Sequence, residues 1–489
     1  MPPRHGILQL AGLLSLGAAV SLGITRFAYG LLLPPMRDDL GWSYALAGAM
    51  NTSNAAGYLL GALLTPLLLR RMPAGSVMLW GALLASVLMA VSGLFTDSTV
   101  WLLQRLAAGV ASALVFMTGG LLAARLGSHA PQRAGLLLGV YYGGTGLGIS
   151  LSAIVVPLAL HLAAGIAHGW ALAWAALALL CFGATAALRA AVRQLALVDA
   201  LPLGSEKAKA ALVAEAGAGR TATWSLDGGS VQAGVIEDAG VDPAATSGGG
   251  GSMAVGSGSG AAASGGNGNG RTDALTALPA AGAVRASHGT DRAIPLGHGH
   301  GATPVGLRRY GFALAGYAMF GVGYIGYMTF IVALLREQGM ANATIMGFYA
   351  LLGVAVMASS RLWAPLLDRH RDGRPLALLN ALLGAATLAP ALSSAWPVVL
   401  ASCVLFGAVF LSVVASTTAW VRHNLPPAQW AHGIGAFTIV FAAGQIVGPT
   451  VVGWIADGPG GLARGFVVSA LALWLGALLA LGQRGVAGK

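Results

Sequence analysis

The sequence predicts an all-α polytopic membrane protein with twelve transmembrane helices in two six-helix bundles. Three observations predict this fold class. The 489 residues are 56% hydrophobic and only 9% charged, whereas soluble domains carry about a quarter charged residues. Apolar runs of roughly 20 residues, the length that crosses a bilayer, recur along the chain. Short polar connections separate these runs, apart from one long polar segment in the middle.

The apolar runs fall into two sets of six. The first run is interpreted as a retained span, because it is longer than a signal-peptide core and has no small-residue cleavage site. The first set covers 7–33, 44–69, 76–95, 100–124, 134–160 and 169–190, and the second covers 310–334, 344–366, 376–394, 397–421, 433–456 and 465–483. We therefore predict an N-terminal six-helix bundle over 1–190 and a C-terminal six-helix bundle over 308–489.

The segment between the bundles, 191–307, has a different composition. Residues 241–270 are mostly Gly, Ser, Ala and Asn, and Trp224 is the single aromatic residue of the segment. Such a composition cannot bury enough apolar surface to offset chain entropy. We predict a disordered Gly/Ala/Ser-rich linker that tethers the bundles.

The distribution of basic residues predicts the orientation in the membrane. With the N-terminus inside, fifteen Lys and Arg residues flank the spans on the cytoplasmic side, against three on the other side, Arg37, Arg336 and Arg464. Cytoplasmic loops of membrane proteins carry such an excess. Both chain termini and the linker are therefore predicted to be cytoplasmic.

Composition excludes several classes of protein. The thinly spread basic residues do not form the dense basic face that nucleic-acid binding needs. Two cysteines exclude a disulfide scaffold and a Cys-rich metal cluster. The spans hold no His or acid pair that could serve a membrane enzyme, and the chain has no nucleotide-binding loop for ATP-driven transport. We expect no enzymatic activity, no cofactor and no metal.

The two sets of spans form an internal repeat. The segment Arg105–Gly135 around the fourth span matches Cys403–Gly433 around the tenth, at an offset of 296 to 298 residues. Transporters built from two parallel halves bind their substrate between the halves, near the bilayer midplane. A site between the bundles is therefore predicted.

Four segments carry a resemblance to a known family, namely Arg26–Met36, Met50–Tyr58, Leu102–Gly109 and Asp368–Arg374. Together they resemble the major facilitator superfamily of transporters, and in particular its bacterial YbfB/YjiJ branch. The resemblance implies the major-facilitator architecture and a location in the bacterial inner membrane. It also implies that Asp368, Arg369 and Arg374 form a conformational latch. Thr65 stands where the matching signature of the N-terminal half carries an acid, so only the C-terminal latch is complete.

Three arginines fall inside the predicted spans, Arg26, Arg105 and Arg361. An arginine at a helix centre costs roughly 2.5–3.5 kcal/mol even on the insertion scale, so such residues are functional candidates. The seven acidic residues outside the linker all lie at span ends or in loops. The spans therefore offer these cations no carboxylate partner. Each arginine can instead bond backbone carbonyls and lock helices together, and the residues alone leave both interpretations open.

Polar residues at helical spacing complete the predicted site. Asn51, Asn54 and Tyr58 share one face of the second span. We predict that the three arginines bind the substrate together with uncharged side chains of five spans, Tyr29, Asn51, Asn54, Tyr142, Tyr324, Tyr327 and Gln445.

The predicted function is secondary active transport of a small anionic organic solute by alternating access. An arriving anion would supply the partner that the buried arginines lack. Two alternatives stay open, the efflux of amphiphilic drug-like compounds and a non-transporting membrane sensor or receptor. We expect a monomer that contacts its solute and the lipid bilayer. Proton coupling, if present, would run through the substrate or an unusual group, because the spans hold no acid.

Overall fold

The computed structural model describes residues 4–200, 223–227, 230–234, 307–426 and 429–485. This part of the chain contains twelve helical segments long and apolar enough to cross a membrane, which confirms the predicted fold class. The N-terminal half consists of α1 (Arg4–Ala18), α2 (Tyr29–Leu40), α3 (Tyr44–Leu69), α4 (Ala74–Val91), α5 (Ser98–Ser128), α6 (Ala134–Leu162) and α7 (Trp170–Ala200). The C-terminal half consists of α8 (Gly311–Glu337), α9 (Asn342–Leu362), α10 (Ala364–Arg369), α11 (Arg374–Leu392), α12 (Trp396–Asn424), α13 (Trp430–Ala456) and α14 (Gly461–Leu481).

Two parts of the predicted linker have regular backbone. Helix α7 continues to Ala200, because the Ala- and Leu-rich sequence after residue 190 favours a helix. Strands β1 (Thr223–Asp227) and β2 (Ser230–Gly234) pair in antiparallel fashion. Gly228-Gly229 separates them in the sequence, a dipeptide typical of two-residue hairpin turns. Apart from Leu307, the rest of the predicted linker lies outside the described residues.

The first span is interrupted, whereas the sequence predicted one continuous run over 7–33. Between α1 and α2 the chain forms a π-helical segment, Ala19–Ile24, and then a turn over 25–28. The Thr25 N–H donates to the Val20 carbonyl at 3.0 Å, five residues back instead of four. The π-helical register and the turn release backbone carbonyls from the helical ladder. Irregular backbone at membrane depth persists only where protein groups satisfy it.

The helices define two sides of the molecule. We call the side where α1 begins and α14 ends the terminal side, and the opposite side the distal side. The halves meet where α3 crosses α13 and where α6 crosses α9. Thr52 Oγ1 donates to the Ile446 carbonyl at 2.6 Å, and Ser150 Oγ to the Ala350 carbonyl at 2.9 Å. These contacts lie in the distal halves of their helices.

Glycines show how closely the crossing helices approach. A Cβ atom added to Gly146 on α6 would overlap the Gly353 carbonyl on α9. One turn nearer the terminal side, a Cβ at Gly143 would come no closer than 3.9 Å to Met357. The contact between the two helices is therefore tighter at Gly146 than at Gly143. We call this arrangement, with the halves in contact on the distal side, distal-closed.

Candidate functional site

The interruption of the first span places Arg26 between the halves. Arg26 lies in the turn over 25–28, near the middle of the span, and is only 2% exposed. Its Nε and Nη2 atoms are buried and have no hydrogen-bond partner among the described residues. Its guanidinium carbon lies 5.7 Å from the centre of the Tyr58 ring, a cation–π contact. Arg26 thus holds a buried charge with unused donors.

The C-terminal half contributes Tyr324 and Gln445 to the surroundings of Arg26. Tyr324 lies within electrostatic range of the Arg26 charge. Its hydroxyl donates to Gln445 Oε1 at 2.8 Å, and this fixes the orientation of the amide. Gln445 Nε2 is then left buried without a partner among the described residues. Each half therefore contributes an unused donor to the surroundings of Tyr324.

Arg105 lies at the same level but is engaged in the protein. Its Nη1 donates to the Thr25 carbonyl at 3.0 Å, and its Nη2 donates to Asn51 Oδ1 at 3.0 Å. Its guanidinium carbon also lies 4.8 Å from the centre of the Tyr29 ring. Arg105 thus satisfies a carbonyl released by the break in the first span. This geometry fits the interpretation in which the arginine locks helices together.

Asn51 links this arginine to the other half. Its Nδ2 donates to Thr329 Oγ1 on α8 at 2.7 Å. Tyr349 on α9 makes a second such link, because its hydroxyl donates to the Phe27 carbonyl at 2.7 Å. Side chains of both halves therefore hold the interrupted segment in place.

Three predicted site residues form their side-chain hydrogen bonds within one half of the described structure. Tyr29 donates its hydroxyl to the Ala47 carbonyl at 3.0 Å, and Asn54 donates Nδ2 to the Arg105 carbonyl at 3.1 Å. The hydroxyl of Tyr327 lies 2.9 Å from Ser402 Oγ. Its ring stacks on Phe406, with centroids 3.9 Å apart. These three side chains pack helices within their own half.

Tyr142 differs from these three because it is only partly buried. It lies on the terminal-side half of α6 and contacts Phe116, with centroids 5.4 Å apart. It lies near Tyr58, and near Tyr317 on the other half. Tyr142 therefore belongs to the approach to Arg26 from the terminal side.

Arg361 is not part of the buried site, contrary to the sequence-based expectation. It lies near the end of α9 and is exposed. Counting residues along a span estimates depth, but it does not show which way the helix faces. The structure therefore brings together Arg26, Arg105, Tyr58, Tyr324 and Gln445, and leaves Arg361 outside.

The predicted latch is not formed in this structure. Arg374 pairs with Asp372 at 3.3 Å, and its backbone N–H donates to the same carboxylate at 3.1 Å. Asp368 and Arg369 are exposed at the end of α10. Asp372 lies two residues before Arg374, in the turn that leads into α11. Its carboxylate is therefore the nearest one along the chain for Arg374 to pair with.

A contact between the halves that the sequence did not reveal closes the distal side. The Asp457 carboxylate accepts from the N–H groups of Tyr44 at 2.7 Å and Ala45 at 2.8 Å. It thereby caps α3 from the opposite half. The Tyr44 hydroxyl also donates to Glu337 at the end of α8. We call Tyr44, Ala45, Glu337 and Asp457 the distal clasp.

Tyr58 is the binding candidate that the predicted set omitted. The sequence did contain its signal, since Tyr58 follows Asn51 by two helical turns on one face of α3. Asp457 had no such signal, because its partners lie more than 400 residues away in the sequence.

Comparisons with known proteins agree with this architecture. The family described as "Uncharacterised MFS-type transporter YbfB" matches residues 18–221 and 281–481. No curated protein sequence matches the chain.

Solved structures of transporters share the fold. A bacterial homologue of the human drug peptide transporters PepT1 and PepT2 superposes with a TM-score of 0.61 at 14% identity, covering 97% of both chains. The nucleoside transporter NupG gives 0.57 at 12% identity, again over 97% of both chains. The human organic anion transporter MFSD10 gives 0.50 at 15% identity, over 98% of this chain and 100% of the other. At these identities the likeness concerns the fold alone.

The family match covers most of the chain in two segments, one for each half. It agrees with the twelve spanning helices and with the resemblance of the sequence motifs. The chain is therefore a multi-pass membrane protein that belongs to the YbfB-type transporters of the major facilitator superfamily.

Proposed function

We propose that the protein is a secondary transporter that moves a small organic anion across the bacterial inner membrane, with Arg26 binding the anionic group. The observation that carries this proposal is the buried guanidinium of Arg26, whose Nε and Nη2 have no partner among the described residues. An unpaired buried charge costs several kcal/mol. A carboxylate between the halves would offset this cost through short, bidentate hydrogen bonds.

The surrounding groups favour an anion over a cation. Gln445 Nε2 adds a further unused donor. The seven carboxylates outside the predicted linker lie at helix ends or in connections, and none of them is buried. A site for an amphiphilic cation would be expected to hold a buried acid, so the drug-efflux alternative has no comparable support within the described spans.

The arrangement of the halves suggests how transport would proceed. The distal clasp and the helix crossings join the halves on one side, while the contact between α6 and α9 is looser toward the other. Solute would reach Arg26 from the terminal side, which the basic residues predict to be cytoplasmic. Rocking of the halves around the bound anion would then open the distal side.

The test is solute counterflow in proteoliposomes that contain the full chain. Radiolabelled lactate, succinate and benzoate are used as solutes, and their neutral amides serve as competitors. At least one acid should exchange, and its amide should not compete. Arg26→Lys should slow exchange by about tenfold or more through loss of the planar fork, and Arg26→Leu should abolish it.

Arg464→Leu is the matched control, because Arg464 is an exposed arginine at the distal start of α14. It should exchange solute at the normal rate. Normal exchange by correctly inserted Arg26→Leu protein, or transport of cations only, would refute the proposal. Binding of an acid without any exchange would favour the sensor alternative instead.

A further inference from the structure

The aromatic side chains beside Arg26 have an unusual arrangement for a protein core. Phe441 on α13 stacks on three residues of α8, at ring angles of 22° to Tyr317, 10° to Phe320 and 18° to Tyr324. The centroid distances are 5.0, 5.3 and 5.6 Å. Phe410 extends the stack from Tyr324 at 5.2 Å and 27°. The rings therefore form a nearly parallel stack.

A second aromatic cluster of the protein packs edge to face instead of in parallel. In the N-terminal half, Trp101 contacts Trp42, Phe95 and Trp170 edge to face, at angles of 62° to 79°. Edge-to-face packing satisfies the ring quadrupoles within a closed core. A parallel stack, in contrast, can present a ring face at its open end.

Phe441 is the least buried ring of the stack. It is only partly buried, whereas its three partners on α8 are at most 3% exposed. Gln445 follows Phe441 by one helical turn, about 5.4 Å along the axis, on the same face of α13. The unused Gln445 donor thus lies on the distal side of Phe441, and Arg26 lies near Tyr324 of the same stack.

The opposite half also presents aromatic rings. Tyr142 and Phe116 are partly buried and lie on the terminal side of Arg26. Tyr142 lies near Tyr317 across the two halves. Aromatic surfaces of both halves therefore line the approach, and the donors lie at its closed end.

We propose that the solute is an aromatic carboxylate, with its ring stacked against Phe441 and its carboxylate on Arg26 and Gln445. This inference rests on the proposed function and adds the chemical class of the solute. An offset-stacked aromatic pair is more favourable than its buried area alone accounts for. A flat ring would therefore bind better here than a puckered saturated ring of similar size.

The test compares benzoate with cyclohexanecarboxylate by calorimetric titration of the purified full chain in detergent. Both probes carry one carboxylate on a six-carbon ring, so they differ mainly in planarity and π character. Benzoate should bind about fivefold to tenfold more tightly, the ratio expected for one good stacking contact. Phe441→Leu should reduce this ratio to near one while cyclohexanecarboxylate affinity changes little.

Phe95→Leu is the control, since Phe95 is a partly buried aromatic residue of the edge-to-face cluster. It should keep the wild-type ratio. Equal affinities of the wild type for the two acids would overturn the aromatic assignment and leave the proposed anion transport intact. A Phe441→Leu variant with the wild-type ratio would also overturn it. If neither acid binds while a non-aromatic anion does, only this inference fails, whereas binding of no anion refutes both proposals.

Discussion

Two arginines at one level of the N-terminal half differ in their hydrogen bonding. Arg105 donates to the Thr25 carbonyl and to Asn51 and leaves its Nε without a partner, while Arg26 leaves both Nε and Nη2 without partners in the described structure. The first arrangement stabilises the fold, and the second is costly until a ligand arrives. Stability and transport should therefore respond differently to the loss of each residue.

Arg105→Leu should lower the melting temperature of the protein in detergent. The substitution removes two charge-assisted hydrogen bonds, each worth about 1.5–3 kcal/mol, and leaves the Thr25 carbonyl without its donor. Arg26→Leu should leave the melting temperature unchanged or raise it, because it removes an unpaired buried charge.

Differential scanning fluorimetry of the two variants beside Arg464→Leu gives the comparison. The exposed Arg464 should contribute little to stability. A larger loss of stability in Arg26→Leu than in Arg105→Leu would contradict the assignment of these roles.

At the scale of the elements, the crossing of α6 and α9 depends on the absence of side chains. A Cβ at Gly353 would overlap Ser150 Oγ and the Gly146 carbonyl. Gly353→Ala should therefore destabilise the distal-closed state by about 1–3 kcal/mol, the usual cost of overpacking. The distance between spin labels at Leu94 and Leu392, exposed on the distal sides of the two halves, should increase.

Gly347→Ala is the matched control on the same helix. A Cβ at Gly347 would meet no atom within 4 Å, so this variant should keep the wild-type distance distribution. If both variants behave alike, the crossing does not control closure.

The distal clasp makes a second prediction at this scale. Asp457→Ala removes the carboxylate that caps α3, a loss worth about 0.5–2 kcal/mol for a helix N-cap. Because the cap comes from the opposite half, the loss should weaken closure and populate longer distances between Leu94 and Leu392.

Ser43→Ala tests the specificity of that effect. Ser43 caps the same helix from within its own half, accepting from the Leu46 N–H at 3.1 Å. Its loss should weaken the helix start without opening the distal side. Equal opening in both variants would indicate that helix stability, and not the contact between halves, is the cause.

The elements also show what a sequence can predict. Span number and approximate bounds follow from hydropathy and length, which are local properties, and the structure confirms them. The interruption at 25–28 was missed because it has no local breaker at those positions. It depends on hydrogen bonds that Arg105 and Tyr349 donate to the carbonyls of Thr25 and Phe27, which lie far from them in the sequence.

The site, like the fold, was predictable only in part, because residue types are local properties whereas their contacts form only in the folded chain. Residue type identified Arg26 and Arg105 as candidates, but only their partners distinguish a binding cation from a structural one. We predicted Arg361 in the site because its depth in the membrane, counted along the span, fits the site. Its side chain is exposed instead, because the rotation of α9 about its own axis, which residue counting does not give, decides where the side chain lies. The distal clasp joins residues from opposite halves, which no spacing rule connects.

At the scale of the whole molecule, the orientation in the membrane is a prediction from basic residues. Cysteines introduced near Arg71 and Arg374 should react with an impermeant reagent from the cytoplasmic side only. Cysteines near Asp97 and Asp457 should react from outside only. The native Cys181 and Cys403 are buried and should contribute little background. Labelling near Asp97 from the inside alone would reverse the topology.

The proposed function depends on an anion that binds to Arg26 between the halves and offsets its positive charge. The most direct measurement is ligand-dependent thermal stabilisation of the wild type and of Arg26→Leu, with lactate, succinate, benzoate, their neutral amides and a benzyltrimethylammonium cation. A ligand that binds the folded state adds about 2.7 kcal/mol of stability at a hundred times its dissociation constant. If the proposed function is correct, at least one acid raises the melting temperature of the wild type, its amide does not, and Arg26→Leu shows no shift. An equal shift in both proteins, or stabilisation by the cation alone, would contradict it.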